Sequence, residues 1–146
     1  MVKVYRSTVL DAPAERVWRD LRDFNGLPNW HPSVALSRIE KGHAADKVGC
    51  VRYCQLKDGS RFREKLLSLS DYDYSCTSAI LDSPWEIEDH LATLRLLPVT
   101  EGNRCFLEWS VDFECAPDKE AELSELVGQG LIQAGFDALK GRYGKK

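Results

Sequence analysis

Between Val34 and Phe113 the chain is a succession of strand-like runs separated by short turn signals. Stretches rich in Val, Ile, Leu, Thr, Tyr and Cys predict strands near 34–40, 48–56, 61–69, 72–80, 86–97 and 104–113, and Lys3 to Leu10 supplies another ahead of them. Lys41-Gly42, Asp58-Gly59, Ser70-Asp71, Ser83-Pro84 and Glu101-Gly102 punctuate the series. Connections this short favour an antiparallel meander, because a parallel crossover needs a dozen or more residues. The segment RCFLEWSVDF shows what the sheet does with its faces. Cys105, Leu107, Trp109, Val111 and Phe113 fall on one side, and Arg104, Glu108, Ser110 and Asp112 on the other. One face is wet and the other needs a cover.

Helices at both ends provide it. In DAPAERVWRDLRDF, Asp11 can cap, Pro13 suits a first turn, and Ala14, Val17, Trp18 and Leu21 share one apolar face. That helix ends near Asn25-Gly26, and Leu27 to Trp30 predicts a second short helix before Pro32. After Pro117, the chain predicts one long helix from Asp118 to about Gly141, with Leu123, Leu126, Val127, Leu131, Ala134 and Ala138 on its buried face. Gly128, Gly130 and Gly135 are costly in a helix interior, about 1 kcal/mol each against Ala. Either close packing on the sheet or room for a ligand would account for them.

Composition narrows the function classes. With 146 residues, 43% hydrophobic and 29% charged, the chain suits one domain over 1–146. A net charge of −3 and no basic run beyond Lys145-Lys146 give no reason to expect nucleic acid. No apolar run approaches the roughly 20 residues of a membrane span, and MVKVYRSTVL lacks the continuous apolar stretch of a signal peptide. Five cysteines without a CxxC pair predict buried reduced thiols, hence a cytoplasmic setting. His31, His43 and His90 lie far apart, so no metal site is expected, and no phosphate loop or dinucleotide fingerprint calls for a cofactor. Oligomeric state stays open between monomer and homodimer.

The order of strand, two short helices, six antiparallel strands and long terminal helix resembles the helix-grip superfamily of START domains, pollen-allergen-type proteins and polyketide cyclases. The residues that carry the resemblance are DAPAERVWRDLRDFNGLPNWHPSV, GCVRYCQLKDGSRFREKLLSLS, HLATLRLLPV and CFLEWSVDF. The AP-x-x-x-VW element followed by Trp30-His31-Pro32 is similar to the polyketide cyclase/dehydrase-like branch. The resemblance implies an α+β fold in which a curved antiparallel sheet of about seven strands wraps the long C-terminal helix. It also implies a mostly apolar cavity between them for a small hydrophobic molecule. Trp30, Cys54, Phe62, Leu107, Trp109 and Leu131 are then the expected ligand-binding wall, and His31 is expected to be partly exposed at one end.

Charge placement on the strands supplies the candidate chemistry. In SRFREKLLSL, Arg61, Arg63 and Lys65 share one face, which leaves Glu64 inward between Phe62 and Leu66. Such a carboxylate needs a partner or a raised pKa. Arg52 is available on the preceding strand, sharing a face with Cys50 and Cys54. If the Asp58-Gly59 hairpin pairs 57 with 60, Arg52 lies on the opposite face. A bulged three-residue loop pairing 57 with 61 puts 54 opposite 64 and Arg52 diagonally near it; this register is preferred because it supplies a counter-charge. In EIEDHLATLRL, strict alternation groups Glu86, Glu88, His90, Ala92, Leu94 and Leu96, and the apolar members turn His90 inward.

The stretches VRYC, EKLL and ATLRLLP are also similar to the lachrymatory-factor synthases, which work with an inward Arg, Glu and Tyr. That similarity implies Arg52 and Glu64 as catalytic residues, with His90 at the position of the Tyr. Three functions remain open on this reading. They are a proton-transfer enzyme of cyclase, dehydratase or isomerase type, a carrier or sensor with a self-satisfied ion pair, and a co-chaperone-like interaction module.

Overall fold

A computed structural model describes residues 1–144; Lys145 and Lys146 lie outside the described residues. Seven strands form one antiparallel sheet: β1 (Val2–Leu10), β2 (Val34–Ile39), β3 (Val51–Leu56), β4 (Arg61–Ser70), β5 (Ser75–Asp82), β6 (Glu88–Val99) and β7 (Arg104–Glu114). Their spatial order is β1-β7-β6-β5-β4-β3-β2. The meander β2 to β7 follows from the short turns, and β1 closes onto β7 with Leu10 opposite Cys105 and Val2 opposite Phe113. Consecutive strands β1 and β2 therefore sit at opposite edges of the sheet. The α1 helix (Ala14–Leu21) and a 3₁₀ turn at Leu27–Asn29 carry the chain from one edge to the other. The α1 helix buries Ala14, Val17, Trp18 and Leu21, the face its apolar spacing predicts.

On β7 the burial alternates strictly, with Cys105, Leu107, Val111 and Phe113 sealed from solvent. Across that inner face lies the terminal helix. It begins as a 3₁₀ turn at Pro117–Lys119 and continues as α2 (Glu120–Glu125). Leu126–Gln133 follows in π-helical form before α3 (Ala134–Tyr143). The sequence predicts one uninterrupted α-helix, so the π stretch is a departure with a consequence for the buried face. Its core residues are Leu123, Val127, Ile132, Phe136, Leu139 and Tyr143. The step from Val127 to Ile132 is five residues, one more than an α-helical turn allows, and it advances the apolar stripe by one position. Leu126, Leu131, Ala134 and Ala138 are consequently less covered than a 3.6-residue period implies.

The glycines of this helix have separate explanations. At Gly135 a Cβ would stand 3.0 Å from Trp109, 3.1 Å from His31 and 3.2 Å from Trp30, so the bare backbone is what lets the helix lie against three rings. At Gly130 a Cβ would meet only Leu126, at 3.5 Å. Gly135→Ala is therefore expected to destabilise the fold by about 1–3 kcal/mol through overpacking. Gly130→Ala should be neutral or stabilising by up to about 1 kcal/mol. Urea denaturation midpoints of the two variants check this ordering, and a Gly135→Ala midpoint equal to that of the wild type would contradict it.

Candidate functional site

The β3–β4 hairpin sets the polar end of the site. Asp58 accepts hydrogen bonds from the Ser60 backbone N–H (2.9 Å) and hydroxyl (2.6 Å), and Gly59 takes a left-handed φ of +91° that suits its lack of a side chain. The Leu56 N–H then donates to the Ser60 carbonyl at 2.8 Å. Counting back from that closure, Cys54 faces Phe62 and Arg52 faces Glu64. Neither register weighed from the sequence occurs. The loop has three residues, 57 to 59, but without the bulge, so Arg52 sits directly opposite Glu64 and not diagonally.

Both side chains are largely buried, at 13% and 7% exposure. Arg52 donates to Glu64 Oε1 from Nε (3.1 Å) and from Nη2 (2.7 Å), and its Nη1 donates to the Phe24 carbonyl at 2.9 Å. The guanidinium also lies 4.0 Å from the centroid of the Phe24 ring. On the other side, the Ser78 hydroxyl donates to Glu64 Oε2 at 3.1 Å. Burial pushes the Glu64 carboxyl up, but the adjacent Arg52 charge and these hydrogen bonds outweigh it and hold the carboxyl below its ordinary 4.5. The group is an ionised carboxylate at neutral pH.

His90 enters from β6. A bulge between Glu88 and Leu91, with Asp89 at φ +52°, interrupts the alternation just before it. This corrects the single face predicted for Glu86 to Leu96. Glu86 and Glu88 are exposed, while His90 is inward with 4% exposure. Glu64 also adjoins a bulge, between Arg63 and Glu64 on the β5 side. Among the described residues neither ring nitrogen of His90 has a hydrogen-bond partner, and neither does Trp109 Nε1. Burial lowers the His90 pKa from its ordinary 6.5 despite the attraction of Glu64, so the imidazole is neutral at pH 7.

His31 differs from His90 in its hydrogen bonding. It is only 2% exposed, which corrects the expectation of partial exposure. The Ser33 N–H donates to Nδ1 at 3.2 Å, which leaves Nε2–H to donate to the Leu131 carbonyl at 2.8 Å. Burial lowers its pKa as well. The loop folds inward because the His31 N–H closes back onto the Leu27 carbonyl at 2.9 Å, stacking Trp30, His31 and Trp109 edge to face against Gly135.

Between sheet and terminal helix these groups enclose a cavity of about 470 Å³. Trp30, Phe62, Trp109 and Leu131 belong to its wall, with Arg52, Glu64 and His90 on the polar side. Cys54 and Leu107 do not line it. Both are fully buried in the main core; Cys54 is a short side chain opposite Phe62, and it is the larger ring that meets the cavity. Trp85, which follows the Ser83-Pro84 turn, lines it too, and so do Phe24, Cys76 and Ser78, which the sequence reading did not place in the wall. The inward alternation of SCTSAIL, applied to β5 as it was to β4, would have found Cys76 and Ser78. Burial pushes the Cys76 thiol up to about 11, which keeps it protonated and a poor nucleophile. All five cysteines are free, and no group of three His, Cys, Asp or Glu among the described residues could hold a metal ion. Nor is any helix among those residues long and apolar enough to cross a membrane.

Known proteins share this fold. The family model described as "Polyketide cyclase / dehydrase and lipid transport" matches residues 1–144. The protein XoxI from Bacillus cereus is 27% identical with a TM-score of 0.88, covering 98% of this chain and 96% of its own. A Thermobifida fusca protein is 29% identical with a TM-score of 0.88, covering 99% and 94%. Norcoclaurine synthase from Thalictrum flavum, in complex with dopamine and hydroxybenzaldehyde, shares the fold at 14% identity with a TM-score of 0.76, covering 97% and 85%.

Two measurements follow from the electrostatics. Removing the guanidinium in Arg52→Leu leaves a buried carboxylate without its partner, at a cost of about 3–5 kcal/mol. Glu64 should then titrate above its ordinary 4.5 instead of below it, as followed by carboxyl ¹³C NMR; titration still below that value would show that Arg52 is not what holds it down. Folded His31 and His90 bind protons more weakly than their ordinary 6.5, so the stability they contribute is present above pH 6.5 and lost as pH falls below it. Glu64 adds a second loss only below 4.5. Urea midpoints should be flat near neutrality and decline from about pH 6.5, and the double variant His31→Gln, His90→Gln should lose the first decline.

Proposed function

The chain belongs to the polyketide cyclase/dehydrase and lipid transport family, and we propose that it binds a small, largely apolar organic molecule in the cavity between its sheet and terminal helix. The observation that carries this reading is the cavity itself, about 470 Å³ and walled mainly by rings and aliphatic side chains around one polar end. That size falls within the range of small-molecule sites, and such composition suits a ligand that is apolar over most of its surface. Native mass spectrometry of protein purified from its own host tests it. A bound molecule released on denaturation is the expected result, and Trp109→Arg, which fills the cavity with a charge, should abolish its retention.

A second reading, proton-transfer catalysis, is favoured by the unpartnered nitrogens of His90 near an ionised Glu64. In that reading the neutral imidazole takes a proton from the bound molecule and the carboxylate stabilises the imidazolium that forms. Arg52 is then a positioning residue, since its hydrogen bonds go to Glu64 and the Phe24 carbonyl. Glu64→Gln should lower turnover of a molecule recovered in this way by about 10²–10⁴-fold. Affinity should stay within about tenfold, or ~1.4 kcal/mol, because the amide keeps the shape of the cavity. Conversion at an unchanged rate would leave the carboxylate structural, and a retained molecule that the wild-type protein does not convert would make the protein a carrier.

A further inference from the structure

Resting on the ligand-binding reading above, we infer that the cavity selects an uncharged molecule bearing a hydroxyl or carbonyl oxygen. His90 recognises that oxygen, and a carboxylate or ammonium analogue of equal size is rejected.

The charges that line the cavity leave no free counter-ion in its depth. Arg52, the inner cation, has its charge balanced by Glu64, to which Nε and Nη2 donate, while Nη1 donates to the Phe24 carbonyl and its flat face lies against the Phe24 ring. An anionic head would have to break that pair or remain unpaired in an apolar pocket, and an unpaired buried charge is heavily penalised. An ammonium fares no better. The charge of Glu64 is already balanced by Arg52, which donates twice to Oε1 while Oε2 accepts from Ser78, so an ammonium would bring a net positive charge to a neutral pair. The remaining charged lining residues include Lys57 and Asp58, which are exposed on the hairpin loop where water screens them.

What the cavity does offer is uncharged hydrogen-bonding capacity. His90 is 4% exposed and has no partner among the described residues at Nδ1 or Nε2, and Trp109 Nε1 also lacks one, although both residues line the cavity. A neutral imidazole presents one donor and one acceptor, and an indole one donor. Buried polar atoms in native proteins are normally satisfied, so three unbonded nitrogens on two residues of the cavity wall point to a ligand that completes the bonding. His31 is the internal comparison. It is equally buried and beside the same Trp109, yet both of its nitrogens are bonded within the protein. A hydroxyl can donate to the bare His90 nitrogen or accept from its N–H, and a carbonyl can accept from it. A carboxylate can accept too, but brings a charge that nothing in the pocket neutralises.

Four probes on one bicyclic frame separate these contributions: 1-methylnaphthalene, 1-naphthalenemethanol, 1-naphthoate and 1-naphthylmethylamine, titrated by calorimetry at pH 7.5 into the full chain. The alcohol should bind about tenfold more tightly than the hydrocarbon, and both charged analogues at least tenfold more weakly than the alcohol. In His90→Leu the alcohol should fall to the level of the hydrocarbon, whereas His90→Gln, which keeps a donor and an acceptor, should retain most of the preference. Circular dichroism of both variants checks that they fold. If the carboxylate or the amine matches the alcohol, or His90→Leu keeps the full preference while folded, the inference is overturned and the cavity reading stands. If neither the hydrocarbon nor the alcohol binds, the cavity reading fails and takes the inference with it.

Discussion

The ion pair between Arg52 and Glu64 is the constraint around which the inner face of the sheet is organised. Two charges withdrawn from water are tolerable only when each is paired and hydrogen-bonded, and here they are, by two hydrogen bonds between them and by Phe24 and Ser78 on either side. Their direct opposition depends on the register of the β3–β4 hairpin, which the Asp58–Ser60 turn fixes. A slip of one residue would turn one member outward and strand the other. The pair also ties the loop carrying Phe24 to the sheet. It thereby joins the segment that crosses from one sheet edge to the other to the strands it crosses.

The opposite wall depends on the terminal helix changing pitch. The five-residue step from Val127 to Ile132 keeps both flanking α-helical segments seated on the core, while Leu126 and Leu131 line the cavity. His31 holds this stretch in place by donating Nε2–H to the Leu131 carbonyl. A π-helical stretch loosens the regular i to i−4 ladder, and a side-chain donor from outside the helix is a physically reasonable compensation. Gly135 then admits Trp30, His31 and Trp109 to the helix surface. The rings of the WHP segment serve as a seal for one end of the cavity, and His31 is bonded too completely to act on a ligand.

Much of this was legible from residue patterns, and the failures share a cause. Alternation identified the inward Glu64 because a carboxylate between Phe62 and Leu66 has no other explanation. The antiparallel meander followed from turn spacing alone. The hairpin register did not, because Asp58-Gly59 is compatible with several loop lengths and the Asp58 side-chain bonds choose among them. The face of residues 86–96 failed at the bulge beside Asp89, since alternation carries no marker for an inserted residue. The buried stripe of the terminal helix failed in the same way, at one extra residue per turn. Cys54 and Leu107 share the inner face with wall residues, but sharing a face does not say which side chain reaches the cavity and which is covered. Such local departures in phase arise from tertiary packing, and they concentrate here around the candidate site.

The central claim is that a small apolar molecule occupies the space between sheet and helix, and the four tryptophans provide a direct test. Trp30, Trp85 and Trp109 line the cavity, whereas Trp18 does not, its Nε1–H being donated to Asp71 at 2.7 Å. In ¹⁵N-tryptophan-labelled protein titrated with uncharged N-phenyl-1-naphthylamine, the indole cross-peaks of the three lining residues should shift in a saturable way while that of Trp18 stays in place. Saturable binding that moves Trp18 alone, or that leaves all four peaks unmoved, would contradict the account.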